Sequence, residues 1–316
     1  MQPTRIPPSD HRVTLDYAKF LPEQYRQQID TPTSTWYTWR GHCIHMLRRR
    51  DATAGVRLLV VHGAGAHAAA LWPLAALLKG VDLAAVDLPL YGDTVTARPS
   101  AVRYQDWIDL LVDLLATEDD GRPVVLLGGS IGGLLTVEAA ARSGRVAAVV
   151  ATCLLDPLRR EARSVMTRVG ALAVPFMTLL PLVRGPVARM PLRISWLAPL
   201  TRMGRDPRLG SLCAADSRGG HARIPLGFMA AYLQHPHDQA RRVPVDVHLM
   251  HPEKDAWTPM ALSLQTLESL PTPASTLVLR ECGHFPLGQP GIEDMLGALS
   301  RIVHEKSSTS HAPSPQ

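Results

Sequence analysis

The stretch VVLLGGSIGGLLTVEAAAR, residues 124–142, decides the fold class. Its first four residues are a continuous apolar run, as a strand covered on both faces requires, and its later residues carry a helical period. Between them stands Gly128-Gly129-Ser130-Ile131-Gly132, a G-x-S-x-G motif in the strand-to-helix context that gives the motif meaning. A serine at so sharp a turn is held strained with its hydroxyl exposed, and glycines two residues to either side let the chain pass without Cβ clashes. The start of the following helix favours developing negative charge. Ser130 is therefore the candidate nucleophile. The competing reading is a plain strand-to-helix turn in which Ser130 only caps the helix.

Outward from this turn, short runs rich in valine and leucine alternate with longer segments of helical period. Strands are expected at Trp36–Leu47, Arg57–Val61, Asp82–Val86, Val124–Leu127, Ala147–Thr152, Asp246–Met250 and Ser275–Leu279. Helices are expected at Trp72–Leu78, Tyr104–Ala116, Gly133–Arg142, Pro259–Leu270 and Gly291–Val303. That alternation predicts a mainly parallel sheet covered by helices. The strand Leu58-Leu59-Val60-Val61 runs into His62-Gly63-Ala64-Gly65, a loop able to present backbone N–H groups. A tetrahedral intermediate needs two such donors about 3 Å from its oxyanion; we assign them to Ala64 and to Ile131, the residue after the serine. His62 is expected to brace the turn rather than to act as a base.

The base is expected near the C-terminus, where the strand STLVL leads through Arg280-Glu281 to Cys282-Gly283-His284-Phe285. A neutral imidazole at a strand end can take the proton from Ser130 and return it to a leaving group. The preceding strand, VDVHLM, runs into His251-Pro252-Glu253-Lys254-Asp255-Ala256-Trp257, placing Asp255 on a loop where it can hold the Nδ1 proton of His284. Glu253 and Asp156 are rival acids. Cys282 lacks an elbow of its own and is read as a buried thiol.

Taken together, VVHGAGAH, GGSIGG, HPEKDAWTP and ECGHF resemble the α/β-hydrolase superfamily, especially its monoacylglycerol lipase and lysophospholipase-like branch, over roughly residues 36–304. The H-G-A-G turn is similar to the oxyanion turn of monoglyceride lipases, and this selects Ala64. VDLPLYGDT resembles the D-x-x-G-x-G-x-S loop of that branch with its first glycine and its serine replaced. Gly129 stands where many esterases and lipases carry histidine. The resemblance implies the α/β-hydrolase fold and a triad of Ser130, Asp255 and His284 that cleaves a carboxylic ester of apolar, lipid-like acyl chains through an acyl-serine, without metal or organic cofactor. A thioesterase or acyltransferase of a biosynthetic pathway would use the same site, and a non-catalytic ligand-binding protein could share the fold.

The rest of the chain fits this frame. The expected division is an N-terminal extension (1–34), a core (35–156 and 226–305), a helical cap (157–225) and a disordered tail (306–316). The cap holds twelve arginines, no lysine and three acids, so it carries +9 while the rest of the chain sums to −4, giving the formal net charge of +5. Its arginines would hold an anionic head group, touch an anionic membrane surface, or simply form a solvated outer face. A balance of 33 basic against 28 acidic residues is too modest to imply nucleic acid. Four cysteines without C-x-x-C spacing suggest free thiols in a reducing compartment. The proline-bearing start MQPTRIPPSDHRV lacks the apolar run of a signal peptide, and the longest apolar stretch, Val169–Val183, is broken by Pro175 and Pro181. A cytoplasmic location is the resulting expectation.

Overall fold

The valine- and leucine-rich runs become adjacent strands of one sheet in the computed structural model, which describes residues 13–309. The strands are β1 (Thr33–Trp39), β2 (His42–Arg49), β3 (Arg57–Val61), β4 (Asp82–Val86), β5 (Val124–Gly128), β6 (Ala148–Ala151), the short β7 (Pro191–Arg193) and β8 (Arg223–Pro225), then β9 (Val247–Pro252) and β10 (Ala274–Leu279). Among the described residues, eight of them form a sheet in the order β1-β2-β4-β3-β5-β6-β9-β10, while β7 and β8 pair apart from it. The strand β2 runs antiparallel to both its neighbours; the other pairings of the large sheet are parallel. Every residue of β3, β4 and β5 is buried, because parallel strands with helices on them have no solvent face. The helix Gly132–Ser143 packs on β3, β5, β6 and the helix Tyr104–Thr117, whose Trp107, Ile108, Leu111, Leu114 and Leu115 are all buried.

Two expectations need correction, and the N-terminal extension gains a detail. The single strand expected at Trp36–Leu47 is a hairpin: Arg40 (φ 46°) and Gly41 (φ 82°) both take positive φ, the geometry that reverses a two-residue turn in register with the strand twist. The tail expected from Lys306 begins as helix, since Gly291–Thr309 is one helix and the Lys306 ammonium pairs with the Asp246 carboxylate; residues 310–316 lie outside the described residues. The N-terminal extension, described from Val13, is packed down by the buried Tyr17 and Leu21.

Between β6 and β9 the chain leaves the sheet. It forms short helices such as Arg160–Val165, Val174–Leu179 and Pro207–Ala215, with Pro181, Pro186, Pro191 and Pro199, which cannot continue a helix, between the last two. Asp216 anchors this segment to the core: its Oδ2 accepts from His67 Nε2 at 2.8 Å and from the Tyr17 hydroxyl at 3.0 Å.

Candidate active site

Ser130 sits at φ 54°, a left-handed conformation costly for a serine, and its N–H donates to Thr152 Oγ1 at 3.2 Å. Close approach of backbones fixes the neighbouring glycines. A Cβ on Gly132 would lie 2.8 Å from Val61 O, one on Gly133 would lie 2.1 Å from Cys153 O, and one on Gly63 would lie 2.8 Å from Ser130 Cβ. At Gly129 the nearest atom is 3.7 Å away, so this position accepts a side chain. Gly133→Ala is therefore expected to cost about 3 kcal/mol or to prevent folding, and Gly129→Ala less than about 1 kcal/mol; urea unfolding of the two variants checks this.

Gly63 brings the loop after β3 against the serine turn, and Ala64 and Ile131 both border the cavity at Ser130. Their backbone N–H groups make no hydrogen bond among the described residues. His62 holds the loop in place. It is fully buried, Nε2 accepts the Leu88 N–H at 3.0 Å, and Nδ1 must then carry the proton that it donates to Gly63 O at 2.8 Å. Asp87, in the loop after β4, is equally buried: Oδ1 accepts the Ala68 N–H at 2.6 Å, and Oδ2 accepts from His45 Nδ1 at 2.7 Å and from the Asp93 N–H at 2.9 Å. His45, Asp87 and Asp93 lie close enough to suggest metal ligation, but Asp87 spends its oxygens on this brace. Gly92 is required beside it, since a Cβ there would meet the Asp87 carboxylate at 1.9 Å.

Burial lowers the His62 pKa from 6.5 to about 4. The unfolded chain binds this proton first, so stability is full above pH 6.5 and declines as pH falls toward 4. Between pH 7.5 and 5 the loss from His62 is roughly 2 kcal/mol; a fall in the urea midpoint over that interval, reduced in His62→Gln, is the expected result.

His284 is buried, and its Nδ1 donates to Asp255 Oδ2 at 2.8 Å. Asp255 Oδ1 accepts the backbone N–H groups of Trp257 and Thr258, each at 2.8 Å. Burial opposes the charge on Asp255, but the imidazole and the two backbone donors outweigh it and hold the carboxyl below its ordinary range. The other imidazole nitrogen, Nε2, is buried without a hydrogen-bond partner, and His284 and Ser130 line one cavity.

The rival acids are engaged elsewhere: Asp156 Oδ2 accepts from Arg241 at 2.6 Å, and Glu253 is exposed, with Oε2 accepting the Glu281 N–H at 2.9 Å. The Cys282 thiol is buried, donates to Gly288 O at 3.2 Å and has its pKa pushed up to about 11 by burial. The structure thus brings Asp255 to His284, puts His284 and Ser130 on one cavity, and sets Ala64 and Ile131 beside the serine. Sequence reasoning missed Thr152, the bracing by Asp87, and Trp257, whose ring lies 4.7 Å from that of His284. The H-P-E-K-D-A-W run placed Trp257 close to the acid but gave no sign of its contact with the base.

From Ser130 an apolar cavity of about 350 Å³ extends beneath the segment between β6 and β9, with Leu172, Phe176, Met177, Ile194, Phe228 and Trp257 among its walls.

Residues 58–293 match the family described as the alpha/beta hydrolase family. No curated protein matches the chain in sequence. Solved structures of similar fold include a monoacylglycerol lipase from Paleococcus ferrophilus, with TM-score 0.65, 20% identity, and 84% of this chain and 98% of that one covered. A soluble variant of monoglyceride lipase from Saccharomyces cerevisiae, bound to a substrate analog, has TM-score 0.72 and 14% identity over 90% of this chain and all of that one. An epoxide hydrolase from Acinetobacter nosocomialis has TM-score 0.61 and 12% identity over 86% of this chain and 88% of that one. Identities this low bear on the fold alone.

Proposed function

The chain belongs to the alpha/beta hydrolase family, and from that premise we propose that it is a serine hydrolase of apolar carboxylic esters. The observation that carries this reading is His284: Nδ1 is tied to an ionised Asp255, while Nε2 stands unpartnered on the cavity it shares with Ser130. In the reaction, Ser130 Oγ attacks the ester carbonyl as its proton passes to His284 Nε2, and Asp255 stabilises the imidazolium. The backbone N–H groups of Ala64 and Ile131 receive the negative oxygen of the tetrahedral intermediate. Collapse expels the alcohol, which takes the proton from Nε2 and leaves an acyl-serine. Water, deprotonated by the same nitrogen, then releases the acid and restores Ser130. Every step uses side chains and backbone of this chain.

Residues 157–225 serve in this reading as the cap. Lipase-named neighbours of the same fold and the walls of the cavity both favour an extended acyl chain over a small polar group. The test is hydrolysis of p-nitrophenyl esters from acetate to palmitate by wild type and Ala173→Trp. Ala173 is half-buried on the cavity wall, and the larger ring should lower the rate ratio of long to short esters by about tenfold or more with acetate hydrolysis retained. Equal losses on all chain lengths would remove the cavity as the acyl site. A wild type inert on every ester would favour a binding protein on this fold.

A further inference from the structure

Among the described residues, large exposed apolar side chains concentrate in one stretch of the segment between β6 and β9: Leu172 is 85% exposed, Leu182 70%, Trp196 63% and Leu179 61%. Val169, Phe176, Val187 and Met190 are exposed in the same stretch, and Val169 and Phe176 line one cavity with Leu172 and Trp196. So much apolar area facing water marks a contact site. The charge around it is one-sided. No acid occurs between Glu161 and Asp206, whereas Arg163, Arg168, Arg184, Arg189, Arg193, Arg202 and Arg205 do. Arg205 pairs with Glu281, but among the described residues no carboxylate pairs with Arg168, Arg184, Arg189 or Arg202, all of them exposed. The cavity that begins at Ser130 also has Arg168, Val169, Leu172, Phe176 and Trp196 in its lining, so its mouth opens through this face.

We propose that this face docks on an anionic lipid bilayer, with its apolar side chains in the boundary of the hydrocarbon and its arginines at the phosphates. A second copy of the chain is a poor occupant, because a symmetric contact would set arginines against arginines with no acid between them. An anionic bilayer supplies both missing complements, an apolar phase and negative charge. The contact is peripheral: among the described residues no helix is long and apolar enough to cross a membrane. Docking does not depend on the chemistry at Ser130; only the passage of substrate from bilayer to cavity rests on the proposed function.

The test is flotation of the full chain with vesicles of phosphatidylcholine alone or with about one third phosphatidylglycerol. Binding at least about tenfold stronger to the anionic vesicles, and weakened by salt, is expected. L179S/L182S and R184Q/R189Q should each lower that binding by about tenfold, as all four side chains are exposed and outside the cavity lining. Their urea midpoints and their hydrolysis of a soluble acetate ester should match wild type. Equal binding to both vesicle types, no binding to either, or a dimer in solution dissolved by L179S/L182S would overturn the proposal. Loss of ester hydrolysis in wild type with vesicle binding intact would remove the proposed function and leave the docking standing.

Discussion

Ser130→Ala should abolish ester hydrolysis, lowering kcat by about 10⁴-fold or more while leaving the fold intact. The change removes one oxygen and nothing else from the turn. Alanine meets the same strain as serine at φ 54°, and the N–H of residue 130 still donates to Thr152. Stability should therefore stay within about 0.5 kcal/mol of wild type. The two loop N–H groups and the cavity also remain, so a small residual rate above that of water is expected. Steady-state kinetics on p-nitrophenyl butyrate, with the urea midpoint as control, distinguishes this from a folding defect. A variant with a tenth of wild-type activity would exclude Ser130 as nucleophile.

Asp255→Asn should be nearly as damaging, with kcat lower by about 10⁴-fold, although the substitution preserves shape. The reason is the direction of three hydrogen bonds. Oδ1 already accepts from Trp257 and Thr258, so the asparagine oxygen must stay there and its NH₂ group must face His284. His284 Nδ1 would then accept rather than donate, its proton would move to Nε2, and Nε2 could no longer take the proton from Ser130. The pH dependence has a definite sign. The folded Asp255 carboxyl titrates below its ordinary value, so its contribution to stability is present above that ordinary value and is lost as pH falls through the depressed one. The stability gap between wild type and D255N should accordingly be open at pH 7 and narrow in acid. Full activity in D255N would mean that His284 is oriented by something else.

Much of this site was legible because its groups sit at strand ends and because buried parallel strands are written as continuous apolar runs. The bounds of β3 and β4 coincide with the runs Arg57–Val61 and Asp82–Val86, and the loops after β3, β5, β9 and β10 were located by the same runs. The hairpin at Arg40-Gly41 was less visible, since arginine carries no bias toward positive φ and only the glycine marked the turn. Contacts between distant residues left no local pattern at all. Thr152 reaches Ser130 across 22 positions, and Asp216 reaches His67 across 149. Nor could the period of the segment between β6 and β9 say which apolar residues face water. Its helices are too short, as Val174–Leu179 with six residues illustrates, to define a stripe.

The central claim is that Ser130, activated by His284, is the nucleophile, and covalent capture tests it most directly. Wild type incubated with a fluorophosphonate should gain the mass of one adduct, the adduct should map to the peptide containing Ser130, and S130A should gain none. No adduct on wild type, or one mapped to any other residue, would contradict the account.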